Sequence, residues 1–261
     1  MPATGHVLTE IRRARRLSQL DLSLQAEVST RHISFIETGR AQPSREMLLR
    51  LSEVMGLSHR DSNRLMNAFG YAAVFSDMSL DDSAMQPVRE ALQIMLDKHD
   101  PYPAAVLDIE WNLLMANSAM QRLMLALMPA TQRQPSANML ELLFDKQGLR
   151  AYLSNWDTVA SLLLRRLRLQ MSSHPTAGLA KLMDKLLSMD PPPDWQTPSP
   201  DSWEGPMLTS ELNINGQQLK VFSTLSSFGT ALDAGLQELM IESYFPADEQ
   251  TRLFFESSQP A

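Results

Sequence analysis

The stretch "STRHISFIETGR", residues 29–40, carries the clearest local structural signal in this chain of 261 residues. Ser29 is of a residue type that caps helix starts, and Gly39 is of the type that follows helix ends. The pattern therefore predicts a short helix that begins after Ser29 and ends at Glu37.

This predicted helix has two different faces. At 100° per residue, Ile33 and Ile36 lie on one side and suit a buried core. Hydroxyl, cationic and aromatic residues spread over the opposite side: Thr30, Arg31, Ser34 and Phe35. Another predicted helix, residues 19–26, precedes it across a tight turn. Two such helices, the second with a polar outward face, fit the major groove of B-DNA.

The surrounding sequence predicts three more short helices, so that residues 1–70 form an all-α helix-turn-helix domain of five helices. Ser18 and Asp21 make a capping-box pattern at the start of the second helix. Serine and glycine bound the last two helices, which run from Ser44 to Gly56 and from Ser58 to Gly70.

Charge is distributed unevenly along the chain. Residues 1–70 hold ten arginines and seven acids, a balance of +3, whereas the other residues hold 13 basic and 23 acidic side chains, a balance of −10. Such asymmetry indicates a domain that faces a polyanion, joined to an acidic domain with another task. A solvated charged surface would give the same balance, so charge alone does not decide between the two.

Three segments, LSQLDL (17–22), AEVS (26–29) and IETGR (36–40), resemble the phage-repressor-like, XRE-type helix-turn-helix regulators. The resemblance covers residues 6–70. It implies that Gln19 and Arg40 contact the DNA backbone and that three residues of the third helix reach base edges: Thr30, Arg31 and Ser34. Ser29 and Phe35 complete the predicted DNA-binding set, Phe35 by meeting a thymine methyl group or by packing.

The same resemblance implies one ion pair and one irregular turn. Arg12 and Glu37 match positions that form a partly buried ion pair in the family. Glu27 stands where the family usually has a left-handed glycine, so we expect a left-handed glutamate there. Taken singly, these residues also fit helix starts, solvated charges and ordinary core, but their joint order and spacing favour DNA binding.

Hydrophobic periodicity is lost over residues 71–86, which we interpret as a linker to a second domain over residues 87–256. This second domain is predicted to begin with a helix over about residues 85–98. A strand hairpin over 104–109 and 111–116 should follow.

Asn117 is predicted to cap the next helix, and residues 137–190 are predicted to be helical, with the longest helix over about 156–171. The segment 190–206 holds six prolines and is predicted as a long loop, a candidate lid.

Residues 208–225 alternate between apolar and polar around Asn215-Gly216, the residue pair that a type I′ hairpin turn favours. A further strand is expected near residues 236–242. Together with the earlier hairpin, this predicts about five antiparallel strands flanked by helices, an α+β PAS-like fold.

The amino-acid sequence of this domain resembles the MmyB-like ligand-binding domain in three segments: PYPAAVLDIEWNLLMANSAM (101–120), HPTAGLAKLMDKLL (174–187) and FSTLSSFGTALDAGLQELMIESYFPAD (222–248). The resemblance implies a PAS-like sensor domain with an internal apolar cavity that suits a fatty-acid-like molecule.

Seventeen methionines and several aromatic residues suit an adaptable apolar pocket, although the same residues would also fill an ordinary core. The predicted ligand-binding set consists of Trp111, Met115, Phe144, Trp156, Leu163, Arg166 and Phe222. A ligand carboxylate would need a cation, for which Arg165 or Arg166 are candidates.

The sequence gives little support to catalysis. It contains no cysteine, which excludes disulfides, thiolate metal sites and cysteine nucleophiles. Its five histidines lack metal-ligand spacing, and it has no HExxH, phosphate-loop or GxSxG motif. A self-cleaving repressor would need a Ser and Lys pair and a scissile bond, and Ala177-Gly178 with Lys185 is a weak match. We expect no enzyme activity, no cofactor and no metal.

No signal peptide or long apolar run is present, so we expect a soluble cytoplasmic protein without a membrane partner. We interpret the chain as a sequence-specific DNA-binding transcription regulator, a homodimer on a palindromic operator that a small apolar ligand modulates. The alternative is a DNA-bound scaffold whose second domain only dimerises or recruits a protein partner.

Overall fold

The computed structural model describes residues 5–127, 137–197, 207–229 and 231–257. These residues divide into two compact units. The first unit consists of the described residues of 1–82 together with 172–174 and 228–237, and the second contains the others.

Five short helices make up most of the first unit: α1 Gly5–Ala14, α2 Gln19–Gln25, α3 Thr30–Glu37, α4 Arg45–Val54 and α5 His59–Ala68. The last four each begin after a serine whose side chain accepts a backbone N–H: Ser18, Ser29, Ser44 and Ser58. Since the first N–H groups of a helix lack partners within it, these side chains fix where each helix begins. The predicted five-helix domain is confirmed.

The helix-turn-helix pair is held from inside and at its turn. Ile33 and Ile36 are fully buried, and the hydroxyls of Ser23 on α2 and Thr30 on α3 are hydrogen-bonded at 2.8 Å. Glu27 is left-handed with φ of 51°, as predicted, and its exposed carboxylate pairs with Arg50. The turn is therefore formed without the glycine that its geometry favours.

A buried ion pair joins α1 to the end of α3. Arg12 Nε donates to Glu37 Oε1 at 2.6 Å and Arg12 Nη2 donates to Oε2 at 3.0 Å, with side-chain exposures of 8% and 5%. Gln19, at the start of α2, donates to the same carboxylate at 2.6 Å. Burial alone would raise the pKa of Glu37, but the hydrogen bonds from Arg12 and Gln19 and the Arg12 charge outweigh it and lower that pKa. The predicted ion pair is confirmed.

The second part of the chain contains seven further helices and five strands among the described residues: α6 Gln86–His99, β1 Ala104–Leu107, β2 Leu113–Ala116, α7 Ser118–Leu127, α8 Met139–Phe144, α9 Trp156–Ser173, α10 Ala177–Leu187, β3 Ser210–Ile214, β4 Gln217–Ser226, α11 Ala234–Gln237, β5 Met240–Pro246 and α12 Glu249–Ser257.

The strands form one antiparallel sheet in the order β2-β1-β5-β4-β3. Asn215 and Gly216 both have positive φ, 53° and 84°, in the turn between β3 and β4, which is the predicted I′ geometry. Asn117 Oδ1 accepts the N–H of Met120 at 2.9 Å and so caps α7. The α+β PAS-like fold is confirmed.

Two element boundaries differ from the prediction. The last strand begins at Met240, because Asp233 Oδ1 accepts the N–H of Leu236 at 3.0 Å and starts the short helix α11 where a strand was expected. The second strand begins at Leu113, because Trp111 turns the chain with a φ of 68°. The predicted loop 190–206 is described to residue 197, and residues 198–206 lie outside the described residues.

Residues 71–82 of the predicted linker belong to the first unit, and residues 83–86 belong to the second. Asn63 Oδ1 on α5 accepts the N–H groups of Val74 and Phe75 at 2.9 and 3.0 Å. Side-chain hydrogen bonds of this kind hold the segment in place without a periodic apolar face.

The segment between β4 and β5 also belongs to the first unit. Ala234 N–H donates to the Ser76 carbonyl at 2.7 Å, and the Asp233 carboxylate accepts the N–H of Met78 at 3.1 Å. The N–H of His59, at the start of α5, donates to the side chain of Gln237 at 2.8 Å. Residues from late in the sequence thus complete the first unit.

Replacing Glu37 by alanine leaves the Arg12 guanidinium buried without its partner. We expect the free energy of unfolding of the first unit to fall by about 3 to 5 kcal/mol, which urea titration followed by circular dichroism measures. The control is Glu10→Ala, which removes the exposed pair with Arg64 and should cost less than about 1 kcal/mol. Equal losses in the two variants would contradict a structural role for the buried pair.

The lowered pKa of Glu37 also predicts a pH dependence. The ion pair stabilises fully above the ordinary carboxyl pKa of 4.5, and this contribution is lost as the pH falls through the lower folded-state pKa. The melting-temperature difference between the wild type and Glu37→Gln should therefore shrink on acidification. A difference that stays constant down to pH values where carboxylates are protonated would show that Glu37 contributes through packing alone.

Candidate functional site

Two arginines, Arg31 on α3 and Arg40 just after its end, lie near one aromatic ring. The Arg31 guanidinium lies 5.1 Å from the centre of the Phe35 ring, and that of Arg40 lies 5.9 Å from it. Both arginine side chains are exposed and the ring is half-buried. Because a cation is attracted to the face of an aromatic ring, Phe35 gathers two positive charges at one end of the helix-turn-helix.

The other predicted DNA-binding residues remain accessible, but several already have partners within the protein. Ser29 accepts the N–H of His32 and caps α3, Thr30 is hydrogen-bonded to Ser23, and Gln19 donates to Glu37. These three residues therefore hold α2 and α3 in position. Ser34, half-buried on α3, lies on the same helix as Arg31.

A second candidate site lies in the second unit, where α9 packs on the sheet. The buried residues of α9 are Val159, Ala160, Leu164 and Leu167. Leu163, Arg166 and Gln170 follow one another at helical spacing beside them. Gln170 Nε2 donates to the carbonyl of Ile109 at 2.7 Å, which fixes the end of this stripe beside the β1–β2 turn. Arg166 therefore lies between Leu163 and Gln170 on this side of α9.

Trp111 is the contact of Arg166 in this region. Its indole Nε1 donates to Gln170 Oε1 at 3.0 Å, and the Arg166 guanidinium lies 5.4 Å from the ring centre. A bulky residue with φ of 68° is strained, by roughly 1 to 2 kcal/mol, and is retained where surrounding contacts determine it. This backbone conformation places the indole in the core, where Trp111 is 2% exposed.

Across from Arg166, the inward face of the sheet carries a buried acid. Glu242 on β5 accepts a hydrogen bond from Ser223 Oγ of β4 at 2.9 Å, and Tyr244 interacts with the same carboxyl group from two residues along the strand. Burial raises the pKa of Glu242, and it outweighs the lowering effects of Ser223, Tyr244 and Arg166. Burial and the neighbouring Glu242 also raise the pKa of Tyr244 well above its ordinary value.

Several residues of this interface are accessible to solvent. Ser223 and Arg166 are exposed and Tyr244 is half-exposed, while burial is the main cause that lowers the pKa of Arg166 and raises that of Tyr244. Solvent-accessible polar side chains therefore lie next to the buried Glu242.

The structure brings five of the seven predicted ligand-binding residues to one core. Trp111 and Phe144 are buried in it and Trp156, Leu163 and Arg166 border it. The Trp156 ring meets Phe144 edge-on at 4.8 Å, and its buried Nε1 has no hydrogen-bond partner within the described residues.

Two predicted residues lie elsewhere. Phe222 stacks on Phe245 at 5.4 Å on the opposite face of the sheet, because the inward positions of β4 are odd-numbered, as Leu219 and Val221 show. Met115, half-buried on edge strand β2, is not part of the buried cluster around Trp111.

Sequence reasoning missed Glu242, Ser223 and Tyr244. The available signal was an acid at an inward position of an apolar strand, since Glu242 lies between Ile241 and Tyr244 in MIESYF. Arg165, the alternative cation, donates instead to the carbonyls of Trp195 and Thr197, so it holds the proline-rich segment.

Within the described part of the chain, no three histidine or acidic side chains group in a way that could hold a metal ion. Nor does any described helix have both the length and the apolar character needed to cross a membrane.

Comparison with known families matches both parts of the chain. Residues 88–257 match the MmyB-like transcription regulator ligand binding domain, and residues 8–61 match the helix-turn-helix family. No curated protein matches the chain.

Two solved structures show weak similarity. The PAS domain of BvgS from Bordetella pertussis is 13% identical, with 66% of this chain and 95% of that chain covered and a TM-score of 0.31. An RNA-binding light-oxygen-voltage receptor is 14% identical, with 97% of this chain and 60% of that chain covered and a TM-score of 0.26.

The raised pKa of Glu242 predicts that this residue destabilises the folded chain when it ionises. As the pH rises above the ordinary carboxyl pKa of 4.5, the unfolded chain releases a proton that the folded chain retains, so stability falls until the folded-state pKa is passed. Glu242→Gln cannot ionise, and its melting temperature relative to the wild type should rise with pH over this window. The surface variant Glu90→Gln on α6 is the control and should show no such trend; a flat profile for Glu242→Gln would mean that Glu242 titrates as an ordinary acid.

Proposed function

Since the chain belongs to the MmyB-like transcription regulators, we propose that it is a sequence-specific DNA-binding regulator that a small apolar, fatty-acid-like ligand modulates. It acts as a homodimer on a palindromic operator, in the cytoplasm and without catalysis. One observation carries the DNA-binding part: Arg31 and Phe35 on α3 and Arg40 just after it form an exposed cationic cluster.

The geometry supports a division of roles on DNA. Arg31 projects from the first turn of α3, where side chains of a recognition helix meet base edges, together with Thr30 and Ser34. Arg40 follows α3 and, with Gln19 and Ser29, suits the phosphate backbone. Phe35 fixes the distance between these two kinds of contact, because both guanidinium groups approach its ring.

A homodimer follows from the size of this surface. One helix of eight residues reads a short half-site, and a two-fold pair of such helices reads two half-sites one helical turn apart. The symmetry of the protein would then be mirrored in the operator.

The apolar interior of the second unit supports a small-molecule ligand. It combines fully buried aromatic and aliphatic residues with a few convergent polar groups near Glu242, which is the usual character of a ligand pocket. Burying an acyl chain there would be worth about 0.8 kcal/mol per CH₂ group. A ligand changes DNA affinity if it favours one arrangement of the dimer over another.

Arg31→Ala and Arg40→Ala should produce two different defects in DNA binding. Loss of Arg31 removes a base contact, so the ratio of operator to random-DNA affinity should fall by a factor corresponding to about 1 to 3 kcal/mol. Loss of Arg40 should weaken both affinities alike and reduce the salt slope by about one unit. Fluorescence anisotropy with an operator selected from random DNA, at several salt concentrations, measures both.

The charge-matched control is Lys181→Ala, which removes an exposed cation from α10 in the second unit. It should leave the affinity ratio and the salt slope unchanged. If Arg31→Ala also leaves the ratio unchanged, α3 does not read the operator through this face.

The ligand is tested by what the protein carries and by what its removal does. Solvent extraction of the purified protein followed by mass spectrometry should release a long-chain carboxylic acid or a related apolar molecule. Operator affinity should differ between stripped and refilled protein. If nothing is released and added fatty acids do not bind, the second unit acts as a scaffold that dimerises or recruits a partner.

A further inference from the structure

The β4–β5 segment, residues 228–237, continues at both ends into strands that contribute to the core of the second unit. Leu225, near the end of β4, and Met240, at the start of β5, both pack against the apolar core that the proposed function assigns to the ligand. The two strands are paired with each other as far as Ser226 and Ile241. A change in that core which moves these strand ends therefore moves the ends of the segment.

One part of the β4–β5 segment caps a helix of the first unit. The N–H of His59, the first residue of α5, donates to Gln237 Oε1 at 2.8 Å, and the ring Nε2 of His59 donates to the carbonyl of Ala231 at 2.8 Å. Ser58 caps the same helix by accepting the N–H of Asp61. The free N–H groups in the first turn of α5 are thus satisfied partly from the β4–β5 segment.

Another part of the segment holds the chain that follows α5. The N–H of Ala234 donates to the carbonyl of Ser76 at 2.7 Å, and the Asp233 carboxylate accepts the N–H of Met78 at 3.1 Å. The two backbones approach closely, since a Cβ atom on Gly235 would lie 2.7 Å from the carbonyl oxygen of Met78. The segment and the chain after α5 are therefore fixed against each other.

Helix α5 is joined in turn to the helix that carries Arg31. Leu65 and Met66 of α5 are fully buried in the same apolar core as Ile33 and Ile36 of α3. A close-packed core has low compressibility and transmits a displacement of one helix to its neighbours. A shift at the start of α5 therefore alters how α3 is presented.

We propose that the β4–β5 segment transmits ligand binding in the second unit to the DNA-binding helices of the first, with Asp233 and Gln237 as the positioning residues. This inference rests on the proposed function, since it requires a ligand in the second unit and DNA binding by the first. A ligand that shifts Leu225 and Met240 changes the hold of the segment on α5 and so changes operator affinity. By linkage, the operator changes ligand affinity by the same factor.

The coupling is measured on the full chain as the ratio of operator affinities with and without saturating dodecanoate or hexadecanoate. Fluorescence anisotropy gives the operator affinity, and isothermal titration calorimetry gives the affinity of each fatty acid. For the wild type we expect the ratio to differ from one by at least about fivefold.

Two glycines of the segment supply a variant and its matched control. Gly235→Ala forces the segment away from Met78, so the ratio should come within about twofold of one while the fatty acids still bind. Gly229→Ala adds a methyl group that meets no atom within 4 Å and should keep the wild-type ratio.

Gln237 supplies a second pair of variants. Gln237→Ala removes the acceptor of the His59 N–H and should also bring the ratio towards one. Gln237→Glu keeps an acceptor oxygen and adds a negative charge that a helix N-terminus favours, so it should keep the ratio. A purely structural role of Gln237 would lower operator affinity equally with and without fatty acid, and so would leave the ratio unchanged in Gln237→Ala.

Circular dichroism shows whether each variant is folded at the assay temperature, and the Gln237 pair decides alone where Gly235→Ala is unfolded. A wild-type ratio in the folded variants of Gly235 and in Gln237→Ala would overturn the role of the segment and leave the ligand-modulated regulator standing. If the fatty acids bind the wild type without changing its operator affinity, there is no transmission and the inference fails. If neither fatty acid binds, the fatty-acid-like ligand is overturned and this inference with it.

Discussion

One buried carboxylate organises the DNA-binding half of the molecule. Glu37, at the end of α3, receives hydrogen bonds from Arg12 of α1 and Gln19 of α2, so that three helices meet at a single group. In a small all-α domain with little core volume, such a junction fixes orientations that apolar packing alone leaves loose. The outward face of α3, with Arg31 and Phe35, is presented at a defined angle because its inner end is anchored in this way.

The two units each contain a buried acid, and the pKa values of these acids are shifted in opposite directions. Glu37 is fully hydrogen-bonded, and its pKa is lowered, which makes it a stable charge suited to structure. Glu242 instead accepts a hydrogen bond from Ser223, it has no ion pair among the described residues, and burial raises its pKa. The opposite pKa shifts follow from the partners of each acid, since charged hydrogen-bond donors outweigh burial at Glu37 and do not at Glu242.

The helices of the first unit can be predicted from the sequence, because the residues that begin and end them are close together in the chain. Serine caps, the left-handed Glu27 and the Arg12 and Glu37 pair each follow from a few residues at fixed spacing. In the second unit, the hairpin at Asn215-Gly216 is equally local, whereas the start of β5 depends on the Asp233 side chain. Phe222 is aromatic and suits an apolar core, but the alternation of β4 turns it to the opposite face of the sheet. The burial of Glu242 is decided by tertiary contacts that the local sequence does not show.

The segment between β4 and β5 belongs to the first unit although the second unit's sequence lies on both sides of it, so the two units do not fold from separate stretches of the chain. Residues 228–237 complete the first unit through Ser76, Met78 and His59, so this unit lacks part of itself until these residues have left the ribosome. Domains usually fold in the order in which they are synthesised. Here the first unit can complete its fold only after most of the second unit has been synthesised, although β5 is made later still. A fragment cut after the five helices would expose the backbone that this segment covers. Domain exchange between relatives should therefore transplant residues 228–237 together with the N-terminal helices.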